Sequence, residues 1–124
     1  ISALALSLGF GEVILASPDE HDQRIAYTSQ LAHLVSSAYV KSPTLAKENG
    51  FSAGSFHDMT RVAQLNPEMW SKLFLLNRTS LLKELEELQT HLSEYHEAIA
   101  SNNESALLEL LADGSEKKIA SLKK

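Results

Sequence analysis

Apolar residues recur at helical spacing over most of this 124-residue chain, and the clearest pattern lies in its second half. There, large apolar side chains are separated by alternating steps of four and three residues, which is typical of a helix that packs along another helix. The residues of this seam are Leu81, Leu85, Leu88, Leu92, Tyr95 and Ile99. We predict helix from Pro67, with Asn66 as its cap, to about Ser101, with a bend near Asn77.

An earlier long helix has an equally clear start. Ser17 is suited to cap it, Pro18 to occupy its first position, and Glu20 to complete a capping box with Ser17. The helix is expected to run to about Lys41, because Pro43 disfavours helical backbone at the residue before it.

Two shorter helices complete the pattern. Ser55 and Asp58 form a cap pattern for a short helix over residues 56–63. A last helix over residues 104–122 is predicted to begin after Asn102 or Asn103. Gly114 is expected to weaken or interrupt this last helix, because glycine is a poor helix former.

One strand-like run, EVILAS at residues 12–17, follows a predicted helix end in residues 2–8. Gly9 and Gly11 lie between the two as helix breakers. Since every other element reads as helix, the sequence predicts an all-α fold.

The stretch IAYTSQLAHLVSSAYV, residues 25–40, contains six hydroxyl side chains and no Asp, Glu, Lys or Arg. At about 100° per residue, its apolar face carries Tyr27, Leu31, Leu34, Val35 and Ala38. The opposite, polar face of the long helix, which begins before this stretch, carries Asp22, Ala26, Ser29, His33, Ser36 and Val40. A face turned to water normally carries Lys and Glu, so we expect this helix to be enclosed on both sides. The polar face suits either a close helix contact with satisfied hydroxyls or a polar pocket.

The stretch GFSAGSFHDMTR, residues 50–61, is the second candidate for a site. Gly50 and Gly54 allow close approach to a ligand, and the helix start beyond them offers free N–H groups to an anion. Arg61, expected one turn into that helix, is suited to bind a carboxylate through two hydrogen bonds. The alternative is a flexible turn with an ion pair between Asp58 and Arg61.

Composition excludes several classes of protein. A net charge of −5 argues against nucleic-acid binding, because phosphate contacts need clustered Lys and Arg. No apolar run approaches the roughly 20 residues needed to cross a membrane. The absence of cysteine excludes disulfides and fits a cytoplasmic protein. The chain does not begin with Met, and we expect it to be part of a longer protein.

Histidine spacing does not indicate a metal site. His91 and His96 are five residues apart, and His21 and His33 are twelve apart, whereas a helical zinc site uses a spacing of four. The dipeptide His21–Asp22 occurs in metal-dependent phosphohydrolases, but the further ligands of those enzymes are not found in the sequence. A stand-alone phosphohydrolase is therefore kept only as an alternative.

Four stretches, in order and at similar spacing, resemble a known family. They are SPDEHD, AYTSQLAHLVSSAYV, GFSAGSFHDMTRVAQLNPEMW and LFLLNRTSLLKEL, within residues 17–101. Together they resemble the C-terminal helical domain of prephenate dehydrogenases, an all-α dimerisation domain of the 6-phosphogluconate-dehydrogenase C-terminal-like type. Residues 1–16 are similar to the tail of that family's N-terminal dinucleotide-binding Rossmann domain. On this resemblance, residues 17–124 are the helical dimerisation and substrate-binding domain.

The resemblance implies oxidative decarboxylation of prephenate to 4-hydroxyphenylpyruvate, in tyrosine biosynthesis. Hydride would pass to NAD or NADP, bound mainly by the N-terminal domain, and no metal takes part. The family's catalytic histidine and GxGxxG loop lie upstream, so no catalytic residue is expected in this chain, and the chain alone is predicted to be inactive. The resemblance also implies a homodimer in which the uncharged helix is buried, with one polar stripe facing the substrate.

By position, the resemblance assigns two sets of residues. The substrate-binding residues are Arg61, His33, Ser29, Gly54 and Trp70, and the acids of a supporting polar network are Asp22 and Asp58. Arg61 matches the family's arginine that binds a substrate carboxylate. Many members have His-Leu-Pro-His where residues 30–33 of this chain are QLAH. The remaining alternatives are an arogenate dehydrogenase and a structural dimerisation domain of another NAD(P)-dependent dehydrogenase.

Overall fold

A computed structural model describes residues 2–9 and 11–123, and all regular structure in these residues is helical. The elements are α1 (Ser2–Ser7), α2 (Pro18–Ile25), a π-helical segment (Ala26–Leu31), α3 (Ala32–Tyr39), a 3₁₀ helix (Pro43–Lys47), α4 (Gly54–Thr60), α5 (Pro67–Leu76), α6 (Arg78–Ala100) and α7 (Glu104–Ser121). The all-α prediction is confirmed. The predicted division into residues 1–16 and 17–124 stays a prediction, and Ile1, Phe10 and Lys124 lie outside the described residues.

The long helix of residues 18–39 consists of α2, the π-helical segment and α3 in direct succession. Its predicted capping box is present: the Ser17 hydroxyl accepts from the Glu20 N–H at 3.2 Å, and the Glu20 carboxylate accepts from the Ser17 N–H at 3.0 Å. Pro43 begins the 3₁₀ helix, which is consistent with an end of the long helix just before it.

The chain divides into two compact units, with the division after Leu81. In the first unit, the buried residues are Ala26, Gln30, Leu31, Ser36 and Leu81. Four of these five lie on the long helix, and two of the four are polar. The interior of this unit is therefore built on the uncharged stretch, as its composition indicated. The enclosure of both faces is only partial in the single chain, since Tyr27 is 63% exposed.

The change of direction predicted near Asn77 is a break between two helices rather than a bend within one. The Asn66 side chain caps α5 by accepting from the Met69 N–H at 3.0 Å. Asn77 lies between α5 and α6 with φ −110° and ψ 32°, outside helical geometry.

In the second unit, α6 continues to Ala100 and is followed by α7. The Asn103 side chain caps α7 by accepting from the Ala106 N–H at 3.1 Å. The Tyr95 hydroxyl donates to the Leu110 carbonyl at 3.1 Å, which joins the two helices. None of the helices in residues 2–9 and 11–123 is both long and apolar enough to cross a membrane.

Three local predictions are wrong. Residues 12–17 form no strand, because a strand needs the backbone of a neighbouring strand to pair with, and the described residues contain none. Helix α4 begins at Gly54 after Ala53, which makes no side-chain cap, so Ser55 and Asp58 lie within the helix. Gly114 does not interrupt α7, because a single glycine costs only about 1 kcal/mol in a helix whose other residues favour it.

Candidate functional site

An aromatic stack joins the long helix to α5. The rings of His33 and Trp70 have centroids 4.2 Å apart and planes 22° apart. Phe74, one turn further along α5, lies with its ring centroid 5.6 Å from that of Trp70. All three side chains belong to half-buried residues. The structure therefore brings together two predicted site residues that are 37 positions apart in the sequence.

The hydrogen bonding of His33 determines what its ring offers to a ligand. Its Nδ1 lies 2.7 Å from the carbonyl oxygen of Ser29, one turn earlier on the long helix. A carbonyl oxygen only accepts, so the hydrogen must be on Nδ1. In the neutral ring, Nε2 is then an acceptor. Ser29 thus contributes to the site through its backbone, and it orients His33.

A pair of amide side chains, buried Gln30 and half-buried Asn77, lies three residues from this stack. The Asn77 amide donates two hydrogen bonds of 2.8 Å, one to the Asp22 carbonyl and one to the Gln30 side-chain oxygen. The Gln30 amide nitrogen donates to the Leu73 carbonyl at 3.4 Å. Sequence reasoning did not identify this pair. Two signals for it were present, since Gln30 is a large amide within the uncharged stretch and Asn77 lies at the predicted bend.

The carboxylates of the two predicted acids, Asp22 and Asp58, take no part in the hydrogen bonding of this pair. Asp22 joins the network through its backbone carbonyl, while its carboxylate lies 3.5 Å from His21 Nδ1 at the surface. Asp58 is exposed on α4, and it makes no ion pair with any of the described residues. A role for the two carboxylates stays a prediction.

Helix α4 packs against α3, the helix that carries His33. Gly54 is its first residue, and a Cβ placed there would meet no atom within 4 Å, so the packing of the chain itself does not require glycine. Arg61 follows the last residue of α4 rather than lying one turn into it, so that expectation is wrong. The helix is seven residues long, and its two ends are therefore about 10 Å apart. Gly54 and Arg61 lie at opposite ends of it.

Arg61 is exposed, and no carboxylate of the described residues lies within 4.0 Å of its side-chain nitrogens. The alternative of an ion pair with Asp58 is therefore wrong. The guanidinium is available to an anion from outside the chain. Its role in binding a substrate carboxylate stays a prediction.

An open pocket of about 290 Å³ lies against the aromatic residues of α5. Trp70 and Phe74 form its apolar side, and Ser37 of α3, which carries a hydroxyl group, also lines it. No group of three His, Asp or Glu residues able to hold a metal ion occurs in the part of the chain that the structure describes. Neither His33 nor Arg61 lines this pocket. Taken separately, the described residues offer an apolar ring face at Trp70, an oriented imidazole nitrogen at His33 and an exposed guanidinium at Arg61, which are groups that suit a small anionic ring compound.

Comparison with known proteins gives one consistent result. The family model described as prephenate dehydrogenase, dimerization domain, matches residues 17–113. A cyclohexadienyl dehydrogenase of Zymomonas mobilis is 33% identical over 117 residues, which are 89% of this chain and 40% of that protein. A prephenate dehydrogenase of Lactococcus lactis is 29% identical over 106 residues, which are 82% of this chain and 30% of that protein.

Two solved structures are also similar. The arogenate dehydrogenase of Synechocystis has a TM-score of 0.79 at 26% identity, covering 96% of this chain and 45% of that one. The prephenate dehydrogenase of A. aeolicus, in complex with hydroxyphenyl propionate and NAD⁺, has a TM-score of 0.71 at 32% identity. That match covers 88% of this chain and 40% of the other. The chain thus spans less than half the length of each of these relatives.

Proposed function

Because this chain belongs to the prephenate dehydrogenase dimerization-domain family, we propose that it forms the dimer interface and one wall of the substrate pocket of such an enzyme. The enzyme oxidises and decarboxylates prephenate with NAD or NADP. We further propose that it is a cytoplasmic homodimer, which a cysteine-free sequence fits.

The stack of His33 on Trp70 is the observation that supports this proposal most directly. Prephenate combines a flat carbocyclic ring with a ring hydroxyl and two carboxylates. Trp70 offers an apolar face for the ring, and the Nε2 atom of His33, which is not used in the bond to Ser29, offers a hydrogen-bonding partner to a polar substituent. The dianion also needs cationic donors to replace its hydration, and Arg61 has no partner among the described carboxylates.

In the proposed reaction, the hydride leaves the ring carbon that carries the hydroxyl, and the hydroxyl proton passes to a base. The bond from the opposite ring carbon to its carboxylate breaks, carbon dioxide leaves, and the electron pair of that bond makes the ring an aromatic phenolate, which takes back the proton from the base. NAD or NADP, when bound, would supply the hydride acceptor, and the A. aeolicus relative is described in complex with NAD⁺. The residues of this chain bind and orient the substrate. The sequence contains no GxGxxG fingerprint, so we expect the chain alone to be inactive.

Arogenate is a second candidate substrate, favoured by the similarity to the Synechocystis arogenate dehydrogenase. It carries an ammonium group where prephenate carries a side-chain ketone. Comparison of kcat/KM for the two substrates in the intact enzyme distinguishes them.

Replacement of Arg61 tests the proposal. In the intact enzyme, we expect Arg61→Ala to raise the KM for prephenate by one to two orders of magnitude, which corresponds to about 1.5–3 kcal/mol for a lost hydrogen bond to a charge. The KM for NAD should not change, because the cofactor is bound elsewhere. Arg24→Ala, the same change at an exposed position of α2, is the control. An unchanged KM for both prephenate and arogenate in Arg61→Ala would refute a substrate wall at this position.

A further inference from the structure

We propose that Gln30 and Asn77 are positioning residues, which hold the long helix in register with α5 so that His33 stacks on Trp70. Neither residue needs to touch the substrate. The consequence for substrate affinity rests on the proposed function, whereas the register itself is a property of this chain alone.

The hydrogen bonds of the pair use both N–H groups of Asn77 and one of the two N–H groups of Gln30. Both N–H groups of the Asn77 amide are used, at 2.8 Å each, by the Asp22 carbonyl and the Gln30 oxygen. The Gln30 nitrogen completes the link at the Leu73 carbonyl. Gln30 is 6% exposed, so loss of one partner leaves a buried polar group without a hydrogen bond. The pair therefore favours one register of the two segments over registers that are shifted by one residue.

The amide pair and the stack are consecutive contacts between the same two segments. His33 lies three residues after Gln30, and Trp70 lies three residues before Leu73. The segments therefore run antiparallel, with Gln30 opposite Leu73 and His33 opposite Trp70. A slip of one residue would move a helix by about 1.5 Å and rotate its side chains by about 100°. The same slip that breaks the amide bonds thus separates the two rings.

Of the two contacts, the hydrogen bonds of the amide pair restrict the alignment of the two segments more strongly than the ring stack does. Hydrogen bonds weaken steeply with misalignment, whereas stacked rings tolerate a range of offsets. Gln30 also lies in the π-helical segment, where an extra residue per turn changes the direction of the side chains that follow. An anchor at this position determines the direction in which α3 presents His33.

Nuclear magnetic resonance of the 124-residue chain tests the register directly. The ring current of Trp70, the sole tryptophan, should shift the ring protons of His33 upfield. His33→Gln assigns these signals among those of the five histidines. Trp70→Leu removes the ring current and so gives the reference position of the His33 signals. We expect Gln30→Met, which keeps the length of the side chain without its amide, to remove at least half of the ring-current shift.

Asn77→Ser is the second variant. It removes both amide donors, while serine remains a favourable residue at the start of α6, where the Asn77 carbonyl accepts from the Leu81 N–H. We expect the same loss of ring-current shift. The controls are Gln89→Met, at an exposed position of α6, and Asn66→Ser, which removes an amide from a cap that a hydroxyl can replace. Both controls should keep the full shift.

A full ring-current shift in either folded test variant would overturn the proposal. Loss of helical circular dichroism in both variants would also overturn it, because the pair would then determine folding rather than register. In the intact enzyme, we expect either variant to raise the KM for prephenate roughly tenfold, with kcat within about twofold and the KM for NAD unchanged. A lost ring-current shift with an unchanged KM would support the register role and refute a substrate site beside His33.

Discussion

The first compact unit joins segments that are distant in the sequence through several directional contacts, whereas in the second unit a single hydrogen bond between the two helices is found among the described residues. In the first unit, Asn77 bonds to Asp22 and Gln30, which are 55 and 47 residues away in the sequence. In the second, the bond from Tyr95 to Leu110 is the hydrogen bond recorded between α6 and α7 among the described residues. Its ion pairs, such as Lys117 with Asp113, lie within one helix and are exposed, so they contribute little.

Both units leave large apolar side chains exposed. In the seam of α6, Leu92 is 58% exposed and Ile99 is 65% exposed. On α7, Leu108 is 62% exposed and Leu111 is 55% exposed. Exposed apolar surface of this kind is typical of protein interfaces. The first unit also exposes apolar residues, such as Leu76 at 85%. We propose that the exposed seam of the second unit contacts a second copy of the chain.

The largest expected effect is on this proposed dimer. The double variant Leu92→Glu with Ile99→Glu would bury unpaired charges in the interface, at several kcal/mol each, and should raise the dissociation constant by at least about 1,000-fold. Analytical ultracentrifugation would measure this.

The matched control is Lys83→Glu with Thr90→Glu, which has the same spacing of seven residues on the opposite side of α6. It should remain dimeric. If the Leu92 and Ile99 variant sediments as the parent chain does, the seam is not the interface.

A smaller effect is expected in the interior of the first unit. Leu81 is 6% exposed, and Leu81→Ala should lower the free energy of unfolding by about 2–4 kcal/mol, because it leaves a cavity. Leu82, the next residue, is 41% exposed, and Leu82→Ala should cost less than about 1 kcal/mol. Urea unfolding followed by circular dichroism measures both. Equal losses of unfolding free energy in the two variants would show that Leu81 and Leu82 are buried to the same extent.

The smallest effect concerns the bond between α6 and α7. Tyr95→Phe keeps the ring and removes the hydroxyl that donates to Leu110, so we expect a loss of about 0.5–1.5 kcal/mol in the free energy of unfolding. Tyr39→Phe, at a 49% exposed position, should change the stability by less than about 0.5 kcal/mol. An unchanged free energy of unfolding in Tyr95→Phe would mean that this hydrogen bond does not contribute to joining the two helices.

Most helix starts could be predicted from the sequence, because the interactions that define them are local. The caps at Ser17, Asn66 and Asn103 each bind a backbone N–H three residues away, and a short window contains both partners. The strand over residues 12–17 was predicted wrongly, because strand formation depends on a partner strand that local sequence does not reveal.

The candidate site was only partly accessible from sequence. Resemblance to a family identified His33 and Trp70, but their stacking depends on how the long helix lies against α5. The amide pair of Gln30 and Asn77 was not predicted, because polar residues at such positions equally suit a solvated surface. The sequence by itself determined the helical class and most helix starts, through contacts within one turn. The tertiary structure alone decided the register that joins Gln30 to Asn77 and His33 to Trp70, because that register depends on contacts between residues about forty positions apart.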